Sequence, residues 1–380
     1  MRTLFILGLG LFFGLVGTAQ DSPTLLIQNV RLFDGVQIQE GMDVLFENGK
    51  VASIQVHDPQ REAEEIIDGK GKTLLPGLIN AHVHIWFPAH LAEAAKAGVL
   101  TVMDMHASRF SIPILKALKD STGFANYLSA GPGATVPGGH GTQFGMPTPT
   151  IDSITSAKTF TEDRVKDGAD YIKILREPSR PTIDFQQIDT VIATAHVHEK
   201  LAVSHISRKA DGLILAGTDL DGFVHIWFDE PSTEQEIQVL AKGGQFMVPT
   251  ILTNKRVIEF FEEQGRDIPH LSVEQLLAEI KKLHEAGISL VAGTDPPNLN
   301  INYGTDLFTE LELFVDSGLS PIEALRTATG NAAEAFQLQE AGRLKKGMPA
   351  HAFLVDGNPN LDISDIRKVL YVWKAGKLVK

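Results

Sequence analysis

The chain has 380 residues, no cysteine and a formal net charge of −13 at pH 7, from 34 Lys and Arg against 47 Asp and Glu. The absence of cysteine excludes disulfides and thiolate ligands, so any metal must be held by His, Asp, Glu or a modified side chain. The negative charge disfavours nucleic acid and anionic membranes as partners. The length is ample for a buried hydrophobic core, and the composition is that of a globular protein.

The first twenty residues have the pattern of a secretory signal peptide. Arg2 precedes the apolar run Leu4–Val16, and small residues follow that run. The run is too short to cross about 30 Å of hydrocarbon as a helix, which argues against a membrane anchor. We expect residues 1–20 to be removed, with cleavage after Ala19 or Gln20, and the exported protein to be soluble and either periplasmic or secreted.

Short segments near both chain ends have the alternating pattern of β-strands and are separated by tight-turn residues. These segments are Thr24–Asn29, Asp43–Phe46, Val51–Val56, Ala352–Val355 and Val369–Trp373. We expect them to form a small β-sandwich domain built from both chain ends. Residues 21–75 would be its N-terminal part and residues 341–380 its C-terminal part.

Between these ends, over residues 76–340, short apolar runs alternate with amphipathic stretches of helical spacing. The runs predict eight strands, at Leu74–Ile79, Leu100–Met105, Ala125–Ser129, Tyr171–Leu175, Ala202–His205, Gly222–His225, Phe246–Pro249 and Ser289–Gly293. The stretches predict helices that include Gln186–His198, Glu234–Ala241, Val273–Glu285 and Asp306–Val315. This order favours an α/β fold of the (β/α)8 TIM barrel type, with a doubly wound sheet as the alternative.

A His-x-His pair follows the first predicted barrel strand. Because side chains alternate along a strand, His82 and His84 lie on one face, and both imidazoles can reach one metal. The isolated pattern is common by chance, but its place at a strand end strengthens the interpretation as a metal site.

Lys173 lies inside the apolar run Tyr171–Leu175, where a buried strand would have to hide an ammonium group. Two interpretations remain open. The lysine either extends to the rim or pairs with a carboxylate, or it has a depressed pKa and adds carbon dioxide. The resulting carbamate has two oxygens that can bridge two cations.

Three further candidates end apolar runs: His205, His225 and Asp295. Taken singly, each is better explained as a structural residue, a hydrogen-bonded histidine or an aspartate that caps a turn. All six candidates nevertheless fall at or near the carboxyl ends of predicted barrel strands, the face on which barrel active sites are built. This coincidence indicates one metal site.

The chain resembles the amidohydrolase superfamily, in the group near imidazolonepropionase-like proteins and Xaa-Pro- or Xaa-Lys-type dipeptidases. The resemblance covers nearly the whole chain beyond residue 20. It is carried by residues 26–35, 67–84, 138–141, 169–174, 292–295 and 318–329.

This resemblance implies a centre of two divalent metal ions. Imidazole and oxygen ligands with open positions make zinc the first expectation, although manganese, cobalt and iron bind similar ligand sets. His82, His84 and Asp295 would hold the more buried ion, and His205 and His225 the second, with carboxylated Lys173 as the bridge. A water that bridges the ions would be the nucleophile, and the second ion would polarise the scissile carbonyl. Asp295 would accept the proton of this water and later deliver one to the leaving nitrogen.

The implied activity is hydrolysis of a C–N amide bond in a small molecule, such as a dipeptide, an N-acyl amino acid or a cyclic amide. A lactone or organophosphate ester hydrolase with the same centre is the alternative, and a mononuclear deaminase is disfavoured by the bridging lysine. A non-catalytic binding protein on the same scaffold is a further alternative, which predicts missing ligands. Assembly into a homo-oligomer is compatible with the sequence.

Other features of the sequence bear on the substrate. His140, in a Gly-rich loop, resembles the Gly-Gly-His segment of the family and is expected to contact substrate, although a loop histidine without a role is an equal alternative. The pair Trp-Phe occurs at residues 86–87 and again at residues 227–228. Either this repeat arises by chance, or these aromatic side chains line a pocket beside the metal site. Two positions depart from the family pattern. His351 stands where an acid is usual. Residues 176–178 follow the fourth predicted strand, where a small, Gly-containing loop is typical, so this loop does not indicate the substrate.

Overall fold

The structure, a computed structural model, describes residues 24–153, 155–265 and 270–379. The predicted signal peptide of residues 1–20 lies outside these ranges and stays a prediction. Within the described ranges, no helix has the length and apolar character that a membrane crossing requires.

Fifteen strands and eleven α-helices are found in the described ranges. The strands are β1 (Leu25–Phe33), β2 (Ile38–Glu47), β3 (Lys50–Val56), β4 (Glu65–Asp68), β5 (Thr73–Pro76), β6 (Leu78–Val83), β7 (Val99–Asp104), β8 (Asn126–Ser129), β9 (Ile172–Leu175), β10 (Ala202–His205), β11 (Gly222–Val224), β12 (Phe246–Val248), β13 (Ala352–Val355), β14 (Val369–Lys374) and β15 (Lys377–Leu378).

The helices are α1 (Pro88–Lys96), α2 (Ser111–Lys116), α3 (Ala157–Lys166), α4 (Phe185–Val197), α5 (Lys209–Leu215), α6 (Glu234–Gly243), α7 (Ile251–Glu263), α8 (Val273–Glu285), α9 (Asp306–Asp316), α10 (Pro321–Thr327) and α11 (Gly330–Ala335). Short 3-10 turns lie at Thr142–Phe144, Asn298–Asn300 and Ile363–Arg367. Several helix starts are fixed locally by capping boxes. At α8, for example, Ser272 accepts a hydrogen bond from the Gln275 N–H, and the Gln275 side chain accepts one from the Ser272 N–H.

Both chain ends build one mixed sheet of eight strands, in the order β15-β14-β13-β5-β1-β2-β3, with β4 paired to β1. Strand β13 runs antiparallel to β5, so the end of the chain pairs directly with the strand that leads into the parallel region. The core of this sheet includes the buried side chains of Val30, Val44 and Trp373. The predicted pairing of the two ends is confirmed, and the sandwich form stays a prediction.

Seven parallel strands form two sheets, β6-β7-β8 and β9 to β12 in consecutive order. Single bridges extend them, from Ala134 to Ile174 and from Met247 to Leu290. The segment after Leu290 returns to β6, where the Ala81 N–H donates to the Ala292 carbonyl oxygen at 2.9 Å. The fold is therefore of the α/β class. The described strands do not form one closed sheet, so the eight-stranded barrel stays a prediction.

Two of the eight predicted barrel strands differ from the structure. The run Leu74–Ile79 is divided between β5 and β6, because Pro76 has no N–H for a continuous ladder and Gly77 instead donates to the His351 carbonyl oxygen. The run Ser289–Gly293 makes one isolated bridge, at Leu290, rather than a strand. The other six agree with β7 to β12 to within one residue at each end.

Candidate metal centre

A cavity of about 310 Å³ lies at the carboxyl ends of the parallel strands. Every residue that the sequence predicts for the site lines this cavity: His82, His84, His140, Lys173, His205, His225 and Asp295. These side chains come from β6, β9 and β10, from the residue after β11 and from three connecting segments. The fold therefore brings together residues that are far apart in the sequence.

The first group of candidate ligands is formed by β6 and the segment that hydrogen-bonds to it. His82 is the fifth residue of β6 and His84 follows its end, so the alternation of the strand directs both rings to the cavity. Asp295 Oδ1 lies 3.0 Å from His84 Nε2 and 3.3 Å from His82 Nε2. Ligands at about 2.0–2.2 Å from one cation are themselves separated by roughly 3 Å, so these distances fit shared coordination.

His225 joins this group from the neighbouring sheet. Ligand atoms of His82, His225 and Asp295 all lie within 4.8 Å of one another, which is compatible with a metal ion among them. The ring of His225 is also 4.7 Å, between centroids, from the ring of His205. His225 therefore lies between the two predicted sets of ligands.

His225 and His205 each have a neighbouring side chain that contacts one of their ring nitrogens. His225 Nδ1 lies 2.6 Å from the Thr250 hydroxyl oxygen, and His205 Nε2 lies 3.2 Å from Glu177 Oε2. A histidine that binds a metal through one nitrogen commonly donates its other N–H to an acceptor of this kind. The contacts therefore leave Nε2 of His225 and Nδ1 of His205 as the ring nitrogens available to a metal.

Lys173 is the buried amine of the site. Ile172 and Ile174 pack into the apolar layer beneath the helices, whereas Lys173 and Leu175 line the cavity. The Lys173 side chain is 2 % exposed, and its Nζ has no hydrogen-bond partner among the described residues. Burial lowers the pKa of Lys173 well below its ordinary value, although the charge of Asp295 opposes this. The imidazoles, the carboxylate of Asp295 and this unsatisfied buried amine together form a donor set that fits divalent cations.

Two candidate ligands and the residue that contacts one of them have left-handed backbone conformations: His225 with φ 67°, Asp295 with φ 56° and Thr250 with φ 48°. This region is sterically unfavourable for residues with a Cβ atom, and it occurs at functional sites where the surrounding structure enforces it. His225 directly follows β11 and Thr250 lies two residues after β12, so two of these conformations occur where the chain leaves a strand.

The structure adds residues that the sequence analysis did not single out. His106 lines the cavity, and its Nδ1 accepts a hydrogen bond from the Gly133 N–H at 2.9 Å. Asp104 lies 3.8 Å from His84 Nδ1 and accepts a hydrogen bond from the Tyr127 hydroxyl. The sequence contains a signal for these two residues. Asp104 and His106 are potential metal ligands two positions apart at the end of a strand, as His82 and His84 are. Thr250 and Glu177 had no comparable signal.

The Gly-rich loop places His140 against the second set of ligands. The His140 ring stacks on His205 with a centroid separation of 4.7 Å. A Cβ atom at Gly141 would lie 2.7 Å from a Leu175 methyl carbon, and its φ is +90°, so this close approach requires glycine. Burial, together with the neighbouring His205, lowers the pKa of His140 to about 2, which keeps its ring neutral.

The repeated aromatics have different environments. Trp227 is fully buried in the core, and only its neighbour Phe228 lines the described part of the cavity. Trp86 and Phe87 are half-exposed, at 50 % and 61 %. One aromatic of the four thus contributes to the pocket wall.

Comparisons with known proteins give one consistent result. A sequence model of the Amidohydrolase family matches residues 73–379, well over half of the chain. The chain is 23% identical to a 5-methylthioadenosine/S-adenosylhomocysteine deaminase of Dictyoglomus turgidum, over 88% of this chain and 85% of the relative. It is 24% identical to an imidazolonepropionase of Ectopseudomonas mendocina, over 94% and 96%. The solved structure of a Xaa-Pro dipeptidase with bound methionine in the active site superimposes with a TM-score of 0.78 at 21% identity, over 93% of this chain and 99% of that one.

Proposed function

The chain belongs to the amidohydrolase family, and from this premise we propose that it is an exported enzyme that cleaves an amide-type C–N bond with two divalent cations. The family and its relatives establish a hydrolase that acts on C–N bonds. The observation that carries the finer proposal is the convergence of four imidazoles, one buried amine and one carboxylate on one cavity. The proposal includes closure of the parallel strands into a (β/α)8 barrel.

Lys173 is the residue that favours two cations over one. In its neutral form, this buried amine can attack carbon dioxide at carbon and release a proton to water, which gives a carbamate anion. That anion would place two oxygens in the cavity as ligands for divalent cations. A mononuclear deaminase has no need of a buried amine at this position, so Lys173 favours the binuclear amide hydrolase.

The chain's own residues then have separate roles. His82, His84 and Asp295 would hold one cation, and His205 and His225 would hold the other. When bound, the cations supply an activated water and polarise the scissile carbonyl. The carboxylate of Asp295, whose Oδ1 lies close to the imidazoles of His82 and His84, would accept a proton from that water and return it to the leaving nitrogen. His140, stacked on His205, is placed to contact the substrate beside the second cation.

Metal counting tests the proposal directly. The protein, loaded separately with zinc, manganese and cobalt, should bind about two ions per chain by elemental analysis. The Lys173→Ala variant should bind one or fewer, whereas Lys158→Ala, which removes an exposed lysine, should bind two. Wild type that is active against amides with a single ion would contradict the binuclear centre. Export is tested by mass spectrometry of the protein from its native host, which should begin at Gln20 or Asp21.

A further inference from the structure

Helix α7 begins directly after a residue that contacts a candidate ligand. Thr250 is the N-cap of this helix, and its hydroxyl oxygen lies 2.6 Å from His225 Nδ1. Further along the helix, Thr253 and Val257 line the cavity. The start of α7 therefore determines both the position of this hydroxyl and part of the cavity wall.

A threonine at an N-cap ordinarily uses its hydroxyl to accept a hydrogen bond from the helix. Thr233, at the start of α6, shows this arrangement. Its backbone is extended, with φ −78°, and its hydroxyl accepts from the Glu236 N–H. Thr250 instead has φ 48°, and its hydroxyl accepts no hydrogen bond from the described N–H groups of α7. The contact with His225 thus takes this hydroxyl away from the helix that it begins.

Glu310, a distant residue in the sequence, supplies the acceptors that Thr250 does not. It is the fifth residue of α9 and is fully buried. Its Oε1 accepts from the Ile251 N–H at 2.8 Å, and its Oε2 accepts from the Leu252 N–H at 2.7 Å. These are the first two N–H groups of α7, which have no acceptor within the helix itself. A carboxylate at this end is also favoured by the helix dipole.

The position of Glu310 is costly for a carboxylate. Leu307, Leu311 and Phe314 share its face of α9, and all three are buried. Burial raises the pKa of Glu310 to about 8, although the hydrogen bonds from Leu252 and Ile251 oppose this rise. An apolar residue would avoid the cost of burial but would leave two N–H groups of α7 without acceptors. The carboxylate therefore matches the start of α7 rather than its own helix.

We propose, on the basis of the proposed function, that Glu310 is a positioning residue of the metal centre, which caps α7 in place of Thr250 and so keeps the Thr250 hydroxyl on His225. Without this carboxylate, the Leu252 N–H becomes a donor for the Thr250 hydroxyl, as the Glu236 N–H is for Thr233. His225 then loses the partner that orients its ring toward a cation.

Nuclear magnetic resonance of protein with ¹⁵N-labelled histidine tests this link without metal. Glu310→Gln keeps the shape of the side chain and replaces one of its two acceptors by an amide NH₂ group. The Nδ1 resonance of His225, identified by its loss in His225→Gln, should shift in the same direction as in Thr250→Val. An unshifted resonance in folded Glu310→Gln would overturn the proposal.

Competition with a chelator tests the consequence for the metal centre. Glu310→Gln should weaken the binding of one cation by at least about fivefold, the change expected from one lost hydrogen bond. If Glu310 acts through Thr250, the same substitution in Thr250→Val should change the affinity by less than about twofold, because the two effects are then not additive. Equal factors in both backgrounds would show that Glu310 does not act through Thr250.

Glu279→Gln is the matched control for a loss of stability. Glu279 is a fully buried glutamate on α8, and its Oε1 accepts from the Ser232 N–H at 3.1 Å. This variant should unfold at lower urea concentration, but it should keep the wild-type metal affinity and the wild-type resonance of His225. An equal shift of that resonance in Glu279→Gln and Glu310→Gln would indicate general loosening and would overturn the proposal.

Two further outcomes remain informative. If Glu310→Gln does not fold, Glu310→Asp takes its place with the same expected results, because it keeps the carboxylate and shortens its reach. If wild type binds no cation, the proposed function is contradicted, whereas the comparison of His225 resonances still decides whether Glu310 keeps Thr250 in place.

Discussion

The hydrogen bond between Thr250 and His225 gives a sharp test of the candidate metal centre. Thr250 is fully buried, and its hydroxyl oxygen lies 2.6 Å from His225 Nδ1. The Thr250→Val variant keeps the shape of the side chain and leaves the Nδ1–H without an acceptor. A buried donor without a partner costs about 1–3 kcal/mol. If that cost is expressed when His225 binds a cation through Nε2, metal affinity falls roughly 5- to 150-fold.

Competition with a chromophoric chelator measures this change, and circular dichroism shows whether the variant is folded. Thr250→Ser retains the hydroxyl and should bind metal within about threefold of wild type, which is well below the loss expected for valine. A folded Thr250→Val protein with wild-type affinity for both cations would show that His225 does not bind metal in the assigned orientation.

Three more predictions concern the catalytic carboxylate, the buried lysine and acid stability. Asp295→Asn should lower kcat against any amide substrate by at least a hundredfold, since general acid–base catalysis contributes typically about 10²–10⁴-fold. Wild type in ¹³C-bicarbonate should show a carbamate carbon resonance that Lys173→Ala lacks. Burial, with the charges of Lys374 and Lys119, lowers the pKa of His351 to about 4 in the folded protein. The unfolded chain therefore binds the His351 proton more strongly, and stability is lost as pH falls from about 6.5 toward 4. Between pH 7.5 and pH 5 this loss is roughly 2 kcal/mol, measured by urea unfolding.

Each of these has its own control. Asp316→Asn, at the end of α9, should keep the wild-type kcat, and undiminished activity of Asp295→Asn would remove this residue from proton transfer. A spectrum of wild type without the carbamate signal, recorded with both metals bound, would reject the modification. His351→Gln removes the titrating ring, so its stability should change less than that of wild type over the same pH interval. Equal pH dependence in both proteins would show that the His351 ring does not titrate as assigned.

Much of the fold was predictable where local signals and burial agree. Helix α8 has both its apolar face and its capping box in the sequence, and its bounds match the prediction. The sequence predicts one strand over Leu74–Ile79 because hydrophobicity is continuous across Pro76 and Gly77. The structure divides it there because the pairing partners change. Such a change depends on contacts with β13 and β7, which are distant in the sequence.

The candidate site shows the same division. His82 and Lys173 could be singled out because a metal-ligand pattern or a buried charge is visible within a few residues. Thr250 and Glu177 could not, since their relation to His225 and His205 depends on how the chain turns after each strand. A hydroxyl or a carboxylate in a loop has no distinctive neighbours in the sequence, and its partner is determined by tertiary structure.

The left-handed backbone conformations of residues 225, 250 and 295 reduce the stability of the fold, while the side chains at these positions serve the candidate site. Each such conformation costs on the order of 1–2 kcal/mol for a residue with a Cβ atom and little for glycine. Glycine at these positions would relieve that strain, and each such variant would lack a candidate ligand or the hydroxyl that contacts one. Non-glycine residues are therefore expected to persist at these three positions only under selection for activity.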